Sequence, residues 1–372
     1  MQSRRCSLVV FLAFSILTAC KSSNTIRLGC LAPLTGESAN YGQSTREGVQ
    51  LAVSEINAAH FLSKPLEIVY EDDRMDPRDG ISAFRKLIDV DHVPAVIGPF
   101  GSSVVLACAP VANQTHTVII SASATADKIA DAGDYVFRIT PPNSKQGSDD
   151  ADFSVHTLHA ATAAVIFQNN DYGITLRDAF VSRFKALGGT IVDVESVDDG
   201  ATDFRAQLTK IRQAKPAVIF FPEHYNEAAL TLRQAHELGI SSSFISADGA
   251  MTEDLLRTAG SAAEGTYYST LALGYGVADK QIADFQTRFR AAYGHDPDVY
   301  AAYYYEVTKI VAQAIRDSGA SGDAIKKGLY AITGANAYVG ITGRTSFDSR
   351  GEVDKSFYVY VVKNGKFQLL HP

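Results

Sequence analysis

Hydroxyl-bearing side chains follow two apolar, β-branched segments in the first half of the chain. Ser102 comes just after a predicted strand at 95–98. Ser123 and Thr125 come just after a predicted strand at 118–121. Hydroxyls and the free backbone N–H groups at a helix start are donors that suit an anion. The two segments therefore predict a carboxylate site, with helix capping by each side chain as the alternative.

The second half of the chain carries groups of the opposite kind. Asp248 follows a predicted strand at 244–246, and Tyr172 follows a predicted strand at 163–167. A carboxylate beside an aromatic face is the chemistry that binds an ammonium group. Donors from one half and an acceptor from the other half predict that a small zwitterion is held between them.

Strand and helix patterns alternate from residue 26 to the C-terminal end, which places these groups on a common architecture. Val49, Ala52, Val53 and Ile56 are spaced as the apolar stripe of an amphipathic helix between two predicted strands. Such alternation predicts an α/β fold with a parallel sheet covered by helices on both faces. Ligands of open α/β sheets bind beyond the carboxyl ends of the strands, where the candidate residues lie.

The alternating pattern stops at Pro141-Pro142-Asn143 and then starts again, which indicates a second sheet. Long helices predicted at 282–293 and 299–317 need a surface to cover, and the first sheet offers it. We therefore expect the chain to cross between two lobes three times. The predicted lobes are 26–143 plus 272–346 and 144–271 plus 347–372.

Composition and missing motifs exclude several functions. The 372 residues are 46% hydrophobic and 20% charged, with a net charge of -7, so a nucleic-acid backbone is a poor partner. Nucleotide-binding glycine loops, the G-x-S-x-G elbow and the second His of H-E-x-x-H are all absent. We expect no catalysis, no cofactor and no metal; a metal shared by His156 and His159 is the alternative, but it lacks a third ligand nearby.

The N-terminus predicts export. Arg4 and Arg5 precede an apolar stretch at 7–18, which is too short to span a bilayer. The segment Leu17-Thr18-Ala19-Cys20 resembles the lipobox of bacterial lipoproteins. This predicts a signal peptide at 1–19, lipidation of Cys20, a tether through residue 25, and membrane contact by the lipid anchor only. An ordinary cleaved signal with an incidental Cys20 is the alternative.

Two further cysteines, Cys30 and Cys108, occupy apolar positions on a predicted strand and a predicted helix. Export permits a disulfide, but such positions are more often independent small core residues. The sequence favours unpaired cysteines and leaves a bridge open.

Over the whole chain from residue 26 to about 368, the sequence resembles the type I periplasmic solute-binding proteins of the leucine/isoleucine/valine class, which serve ABC transporters. The order of the matching segments along the chain carries this resemblance. They are 29–42 (GCLAPLTGESANYG), 52–57 (AVSEIN), 70–77 (YEDDRMDP), 96–103 (VIGPFGSS), 120–125 (ISASAT), 171–173 (DYG), 202–204 (TDF) and 232–239 (LRQAHELG).

The resemblance implies a type I periplasmic binding protein-like fold, with two doubly wound parallel-sheet lobes joined by three crossover segments. It implies a periplasmic protein that captures a branched-chain or other neutral amino acid for an ABC permease and its ATPase. The implied carboxylate ligands are Ser102 and Thr125, the implied ammonium ligands are the Ser123 carbonyl, Asp248 and Tyr172, and the implied pocket walls are Tyr41, Phe100, Tyr300 and His224.

The sequence departs from the family at three points. Asp248 stands where Glu is often found, and His224 stands where a tyrosine is found, so a purely aliphatic side-chain preference is in doubt. Met75 and Gly101 occupy the positions of a disulfide present in some members, so that bridge cannot form. A sensor of the same fold that binds an amide or small carboxylate remains the alternative function. An exported hydrolase is disfavoured, because the sequence offers no recognisable catalytic nucleophile with a general base to activate it.

Overall fold

A computed structural model of the protein describes residues 24–271 and 280–371. The predicted signal peptide at 1–19 and the predicted lipidation site Cys20 lie outside these residues. Among the helices within these residues, none has both the length and the apolar character needed to cross a membrane.

The first part of the chain forms a parallel sheet with the strand order β2-β1-β3-β4-β5. Its second helix begins where the sequence predicts, because the Asp76 carboxylate accepts hydrogen bonds from the backbone N–H groups of Arg78 and Asp79. The elements are β1 Ile26–Ala32, α1 Ala39–Ala58, β2 Leu66–Asp72, α2 Pro77–Asp89, β3 Ala95–Ile97, α3 Ser102–Thr115, β4 Val118–Ser121 and β5 Val136–Arg138.

The middle of the chain builds most of a second sheet, in which β10, β9, β8, β6 and β7 are neighbours and run parallel. Asn170 caps its second helix by accepting from the Gly173 N–H. The elements are α4 Asn143–His156, β6 Thr162–Gln168, α5 Asp171–Ala186, β7 Thr190–Val197, α6 Arg205–Ala214, β8 Val218–Phe220, α7 Tyr225–Glu237, β9 Ser243–Ser246, α8 Glu253–Ala259 and β10 Tyr267–Leu271.

The last part of the chain returns to the first lobe and then adds two strands to the second sheet. Its elements are α9 Lys280–Tyr293, α10 Val299–Ser318, α11 Gly322–Ala331, β11 Tyr338–Gly340, β12 Gly343–Thr345, β13 Phe357–Lys363 and β14 Lys366–His371. Helix α10 packs on α1. The approach is so close that a Cβ on Gly48 would lie 2.1 Å from the Ala301 carbonyl oxygen, so only glycine fits there.

This architecture confirms the predicted α/β fold with two sheets, with some differences in detail. Strand β13 pairs antiparallel with β10, and β14 pairs antiparallel with β13, so the second sheet is mixed. The sequence did not predict β5, β10, β11, β12 or β14. Helix α4 ends at His156, which leaves His159 outside it with a positive φ of 54°. The residue-by-residue lobe boundaries stay a prediction.

A buried ion pair joins two of the segments that pass between the lobes. Arg138 ends β5, just before the first passage, and Glu352 lies between β12 and β13, in the last one. The Arg138 Nε donates to both Glu352 carboxylate oxygens at 2.8 and 3.0 Å, and Nη1 donates to the Ala126 carbonyl at 2.9 Å. Both side chains are buried, so the pair ties the two segments together.

Cys30 and Cys108 are buried free thiols in the first lobe.

Candidate functional site

The donor side of the site is formed by Ser102 and Thr125, at the carboxyl ends of the neighbouring strands β3 and β4. The Ser102 Oγ accepts hydrogen bonds from the backbone N–H groups of Thr125 and Ala126, each at 3.1 Å. A hydroxyl oxygen has two acceptor positions, so the Ser102 hydrogen remains a donor. The Thr125 Oγ1 is buried and has no hydrogen-bond partner within the described residues. Two hydroxyl donors are thus held side by side.

The hydroxyl of Ser123 is used within the first lobe. It donates to the Phe100 carbonyl at 2.8 Å and lies 2.9 Å from the Tyr304 hydroxyl. Only the backbone carbonyl of Ser123 is left for the ammonium-binding role that the family resemblance implies, so this role stays a prediction.

The acceptor side is Asp248, which follows β9 and is buried. The Tyr172 hydroxyl donates to Asp248 Oδ1 at 3.2 Å, and the same hydroxyl accepts the Gly249 N–H at 2.9 Å. Burial raises the pKa of Asp248 to about 6, against the opposing effect of hydrogen bonds from Gln146 and Tyr172. Asp248 is therefore mainly ionised at neutral pH and is an acceptor suited to an ammonium group.

A second carboxyl group, Asp150, lies close enough to Asp248 to be affected by its charge. It accepts a hydrogen bond from the Ser269 hydroxyl at 3.1 Å, and its other oxygen has no partner among the described residues. Burial raises the pKa of Asp150 well above its usual range. Burial thus favours the neutral form of Asp150 beside the carboxylate of Asp248.

The three predicted aromatic wall residues form one packed cluster. The ring of Tyr41 stacks on Phe100 with centroids 4.4 Å apart, and Tyr300 lies 4.8 Å from Phe100 and 5.2 Å from Tyr41. Two of these side chains reach the second lobe: the Tyr300 hydroxyl donates to the Asp248 carbonyl at 2.8 Å, and the Tyr41 hydroxyl donates to the Gly249 carbonyl. The cluster therefore joins the two lobes next to Asp248.

Contacts at the rim show that the two lobes are closed on each other. The Ser103 hydroxyl donates to Asp171 Oδ2 at 2.9 Å, and the Lys128 ammonium lies 3.1 Å from the same carboxylate. Elsewhere on the rim, the Tyr225 hydroxyl donates to the Glu37 carbonyl at 2.6 Å. These contacts between the lobes were not predicted from the sequence, because they join positions far apart in the chain.

A cavity of about 660 Å³ lies between the lobes. Of the predicted site residues, Tyr41, Ser102, Tyr172 and His224 line it. Phe100, Ser123, Thr125, Asp248 and Tyr300 do not line this cavity. Of these five, Phe100, Thr125, Asp248 and Tyr300 each contact a lining residue, and Ser123 contacts Phe100.

His224 is held in a defined orientation by Gln168, at the carboxyl end of β6. The Gln168 Oε1 accepts from the His224 backbone N–H at 2.8 Å and lies 2.7 Å from His224 Nδ1. The imidazole also stacks on Tyr172, with centroids 5.0 Å apart. Gln168 is not among the site residues predicted from the sequence, although the rule that ligands bind beyond strand ends could have identified it.

The alternative metal site is not assembled. His156 is exposed and lies 3.6 Å from Asp152, whereas His159 follows the end of α4. The described residues hold no group of three or more His, Cys, Asp and Glu side chains placed to bind a metal ion.

Comparisons with known proteins give a consistent picture. A family model described as periplasmic binding protein matches residues 25–366. A Leu/Ile/Val-binding protein homologue from Brucella abortus is 30% identical over 339 residues, which cover 90% of this chain and 89% of that protein.

Two solved structures are similar over nearly the full length. The branched-chain amino acid transporter substrate-binding protein LivJ from Streptococcus pneumoniae, in complex with isoleucine, has a TM-score of 0.87, 30% identity, and coverage of 94% of this chain and 100% of that one. The leucine-binding protein LivK from Thermotoga maritima has a TM-score of 0.88, 27% identity, and coverage of 93% and 98%.

Proposed function

The chain belongs to the periplasmic binding protein family, as the sequence resemblance predicts, and we propose that it captures an amino acid between its two lobes for an ABC importer. The relatives named as Leu/Ile/Val-binding proteins support an amino acid as the solute. The family places the protein outside the cytoplasm.

One observation carries this proposal: Ser102 and Tyr172 line the interlobe cavity, and each is hydrogen-bonded to a further candidate ligand residue that lies behind the cavity wall. Ser102 and Tyr172 line the same cavity, from the first and the second lobe. Ser102 is bonded to Thr125, and Tyr172 is bonded to the buried carboxylate of Asp248. In the proposed complex the hydroxyls of the first lobe hold the ligand carboxylate, and Asp248 with Tyr172 holds the ligand ammonium.

Closure of the lobes is part of the proposed mechanism. Removing an ammonium or a carboxylate from water costs several kcal/mol unless each charge finds a partner. A ligand with both charges satisfies both lobes only when they are closed, so binding favours the closed form. The hydrogen bonds at Tyr41, Ser103 and Tyr225 are the contacts that such a closed form makes.

The remaining parts of the proposal follow from the family and from sequence motifs, among them the lipobox-like segment Leu17-Thr18-Ala19-Cys20, rather than from the site. We propose that the closed protein docks on a membrane permease with its ATPase, that Cys20 carries a lipid anchor, and that the protein has no catalytic activity. Import of labelled amino acid into proteoliposomes containing the permease and ATPase would distinguish transport from sensing.

Calorimetric titration of the purified protein with the standard amino acids tests the capture step. We expect saturable binding at one site per chain, accompanied by a rise in the melting temperature that grows with ligand concentration. Absence of binding by any α-amino acid, together with binding of an amide or a carboxylate that lacks the ammonium, would contradict the proposal.

A further inference from the structure

The aromatic side chains predicted to form the pocket wall leave no room between them for an aliphatic ligand side chain. Tyr41 and Tyr300 are each 1% exposed and Phe100 is 4% exposed. Their ring centroids are 4.4 to 5.2 Å apart, which is the spacing of rings in direct contact. A branched side chain therefore cannot insert among these rings without separating them.

The larger space lies elsewhere, on the side of the site where Ser102, Tyr172 and His224 line the cavity. Five carboxyl groups and a single guanidinium, that of Arg74, line it as well. The carboxyl groups belong to Glu37, Asp76, Asp171, Asp199 and Glu227. A cleft with an excess of one charge favours groups of the opposite charge and hydrogen-bond donors.

His224 presents an acceptor in this cavity. The Gln168 oxygen that accepts the His224 backbone N–H can only be an acceptor, so the Nδ1 atom 2.7 Å from it must carry a hydrogen. Burial lowers the pKa of His224, against the opposing charge of Asp199, which favours the neutral ring. With the hydrogen on Nδ1, the Nε2 atom carries a lone pair and accepts rather than donates.

Glu227 adds a second acceptor on the first turn of α7. Its Oε1 accepts the Gly200 N–H at 2.9 Å, the residue lines the same cavity, and burial raises its pKa. An apolar group placed against His224 Nε2 and the Glu227 carboxyl would remove these acceptors from water without replacing their hydrogen bonds.

We propose that the preferred amino acid has a side chain that ends in an N–H donor, either an amide or a cation, and that His224 Nε2 selects it. This inference rests on the proposed function, because it assumes that the ligand is held by its ammonium and carboxylate groups. It narrows the ligand from amino acids in general to those whose side chain carries a nitrogen donor, and it disfavours leucine, isoleucine and valine.

Ligand pairs of matched shape test the inference on the purified wild-type protein. Asparagine and leucine have nearly the same side-chain shape, and lysine is norleucine with a terminal ammonium. We expect asparagine to bind at least about tenfold more tightly than leucine, or lysine at least about tenfold more tightly than norleucine. The pair that discriminates identifies the amide or the cation as the donor. Aspartate, which has the shape of asparagine but no N–H, should bind weakly.

The variant His224→Phe keeps a ring that can stack on Tyr172 and removes the acceptor. We expect it to reduce the preference within the discriminating pair to threefold or less. The variant His236→Phe, at an exposed position near the end of α7, is the matched control and should keep the full preference. Melting curves of both variants without ligand check that they are folded.

The outcomes separate the inference from the proposed function. Equal or tighter binding of leucine and norleucine would overturn the inference while leaving amino-acid capture intact. Full preference in folded His224→Phe would overturn the role of His224. Failure of every amino acid to bind would instead contradict the proposed function, on which the inference depends.

Discussion

The donor side in the first lobe and the acceptor side in the second lobe are built in different ways. Ser102 and Thr125 are neutral, come from adjacent strands and already hold each other through a backbone hydrogen bond. Asp248 is a buried charge whose pKa is raised by its surroundings. Neutral donors lose little when a ligand leaves, whereas a buried carboxylate loses a charged partner. The ammonium end of the ligand should therefore contribute more to selection than the carboxylate end.

The largest expected effect comes from removing the charge of Asp248. We expect Asp248→Asn to weaken amino-acid binding by about 2 kcal/mol, or roughly thirtyfold, because the ammonium loses a charged acceptor. Calorimetry measures the change. Asp178→Asn, at an exposed position on α5, is the control and should bind like wild type. Affinity of Asp248→Asn within threefold of wild type would reverse the ranking of the two sides.

The acceptor side also predicts how affinity depends on pH. The pKa of Asp248 is raised to about 6 by burial, and the ammonium needs the ionised form, so protons compete with the ligand below that value. Affinity should be constant above the pKa and should fall by about tenfold between pH 7 and pH 5. Titrations across this range give the profile. Asp248→Asn should lack this fall; if it keeps the full fall, another group is responsible.

A smaller effect is expected on the donor side. Ser102→Ala should weaken binding by about 1 kcal/mol, or roughly fivefold, since one neutral hydroxyl is lost and the backbone N–H donors remain. Ser148→Ala, at a partly exposed position on α4 outside the cavity lining, serves as the control. A loss from Ser102→Ala that exceeds the loss from Asp248→Asn would show that the carboxylate end dominates selection.

Replacing Thr125 should cause the smallest loss of affinity among these variants. It also separates an effect on binding from an effect on stability. Its buried hydroxyl has no partner within the described residues, so Thr125→Val removes an unsatisfied polar group from the protein. We expect an unchanged or raised melting temperature without ligand, and binding weakened by about 0.5 kcal/mol. Unchanged binding would show that the Thr125 hydroxyl does not contact the ligand.

Local signals in the sequence were sufficient for most of the architecture. Apolar β-branched runs predict β1, β3 and β4, and the Asp76-Pro77 pair marks the start of α2 where the structure has it. The sequence did not reveal β10, because this strand (YYSTL) consists mostly of hydroxyl-bearing residues and contains no continuous apolar run.

The site was predicted less completely than the fold. The residue types beyond strand ends identified Ser102, Thr125, Tyr172 and Asp248 as candidates, and the structure places them in two bonded pairs. The orientation of His224 was not predictable, because it depends on Gln168, 56 residues away, and on the contact between two strand ends. Packing of Tyr41 against Phe100 likewise depends on how the helix after β1 meets the turn after β3.

The buried pair of Arg138 and Glu352 connects the segments that pass between the lobes to the proposed carboxylate site. The same guanidinium that binds Glu352 also holds the carbonyl of Ala126, and the amide of Ala126 is bonded to the Ser102 hydroxyl. These contacts form a short chain from Glu352 and Arg138 through Ala126 to Ser102, the proposed carboxylate donor. We expect a shift of Arg138 on opening of the lobes to be passed on to Ser102, and therefore to weaken the proposed hold on the ligand carboxylate.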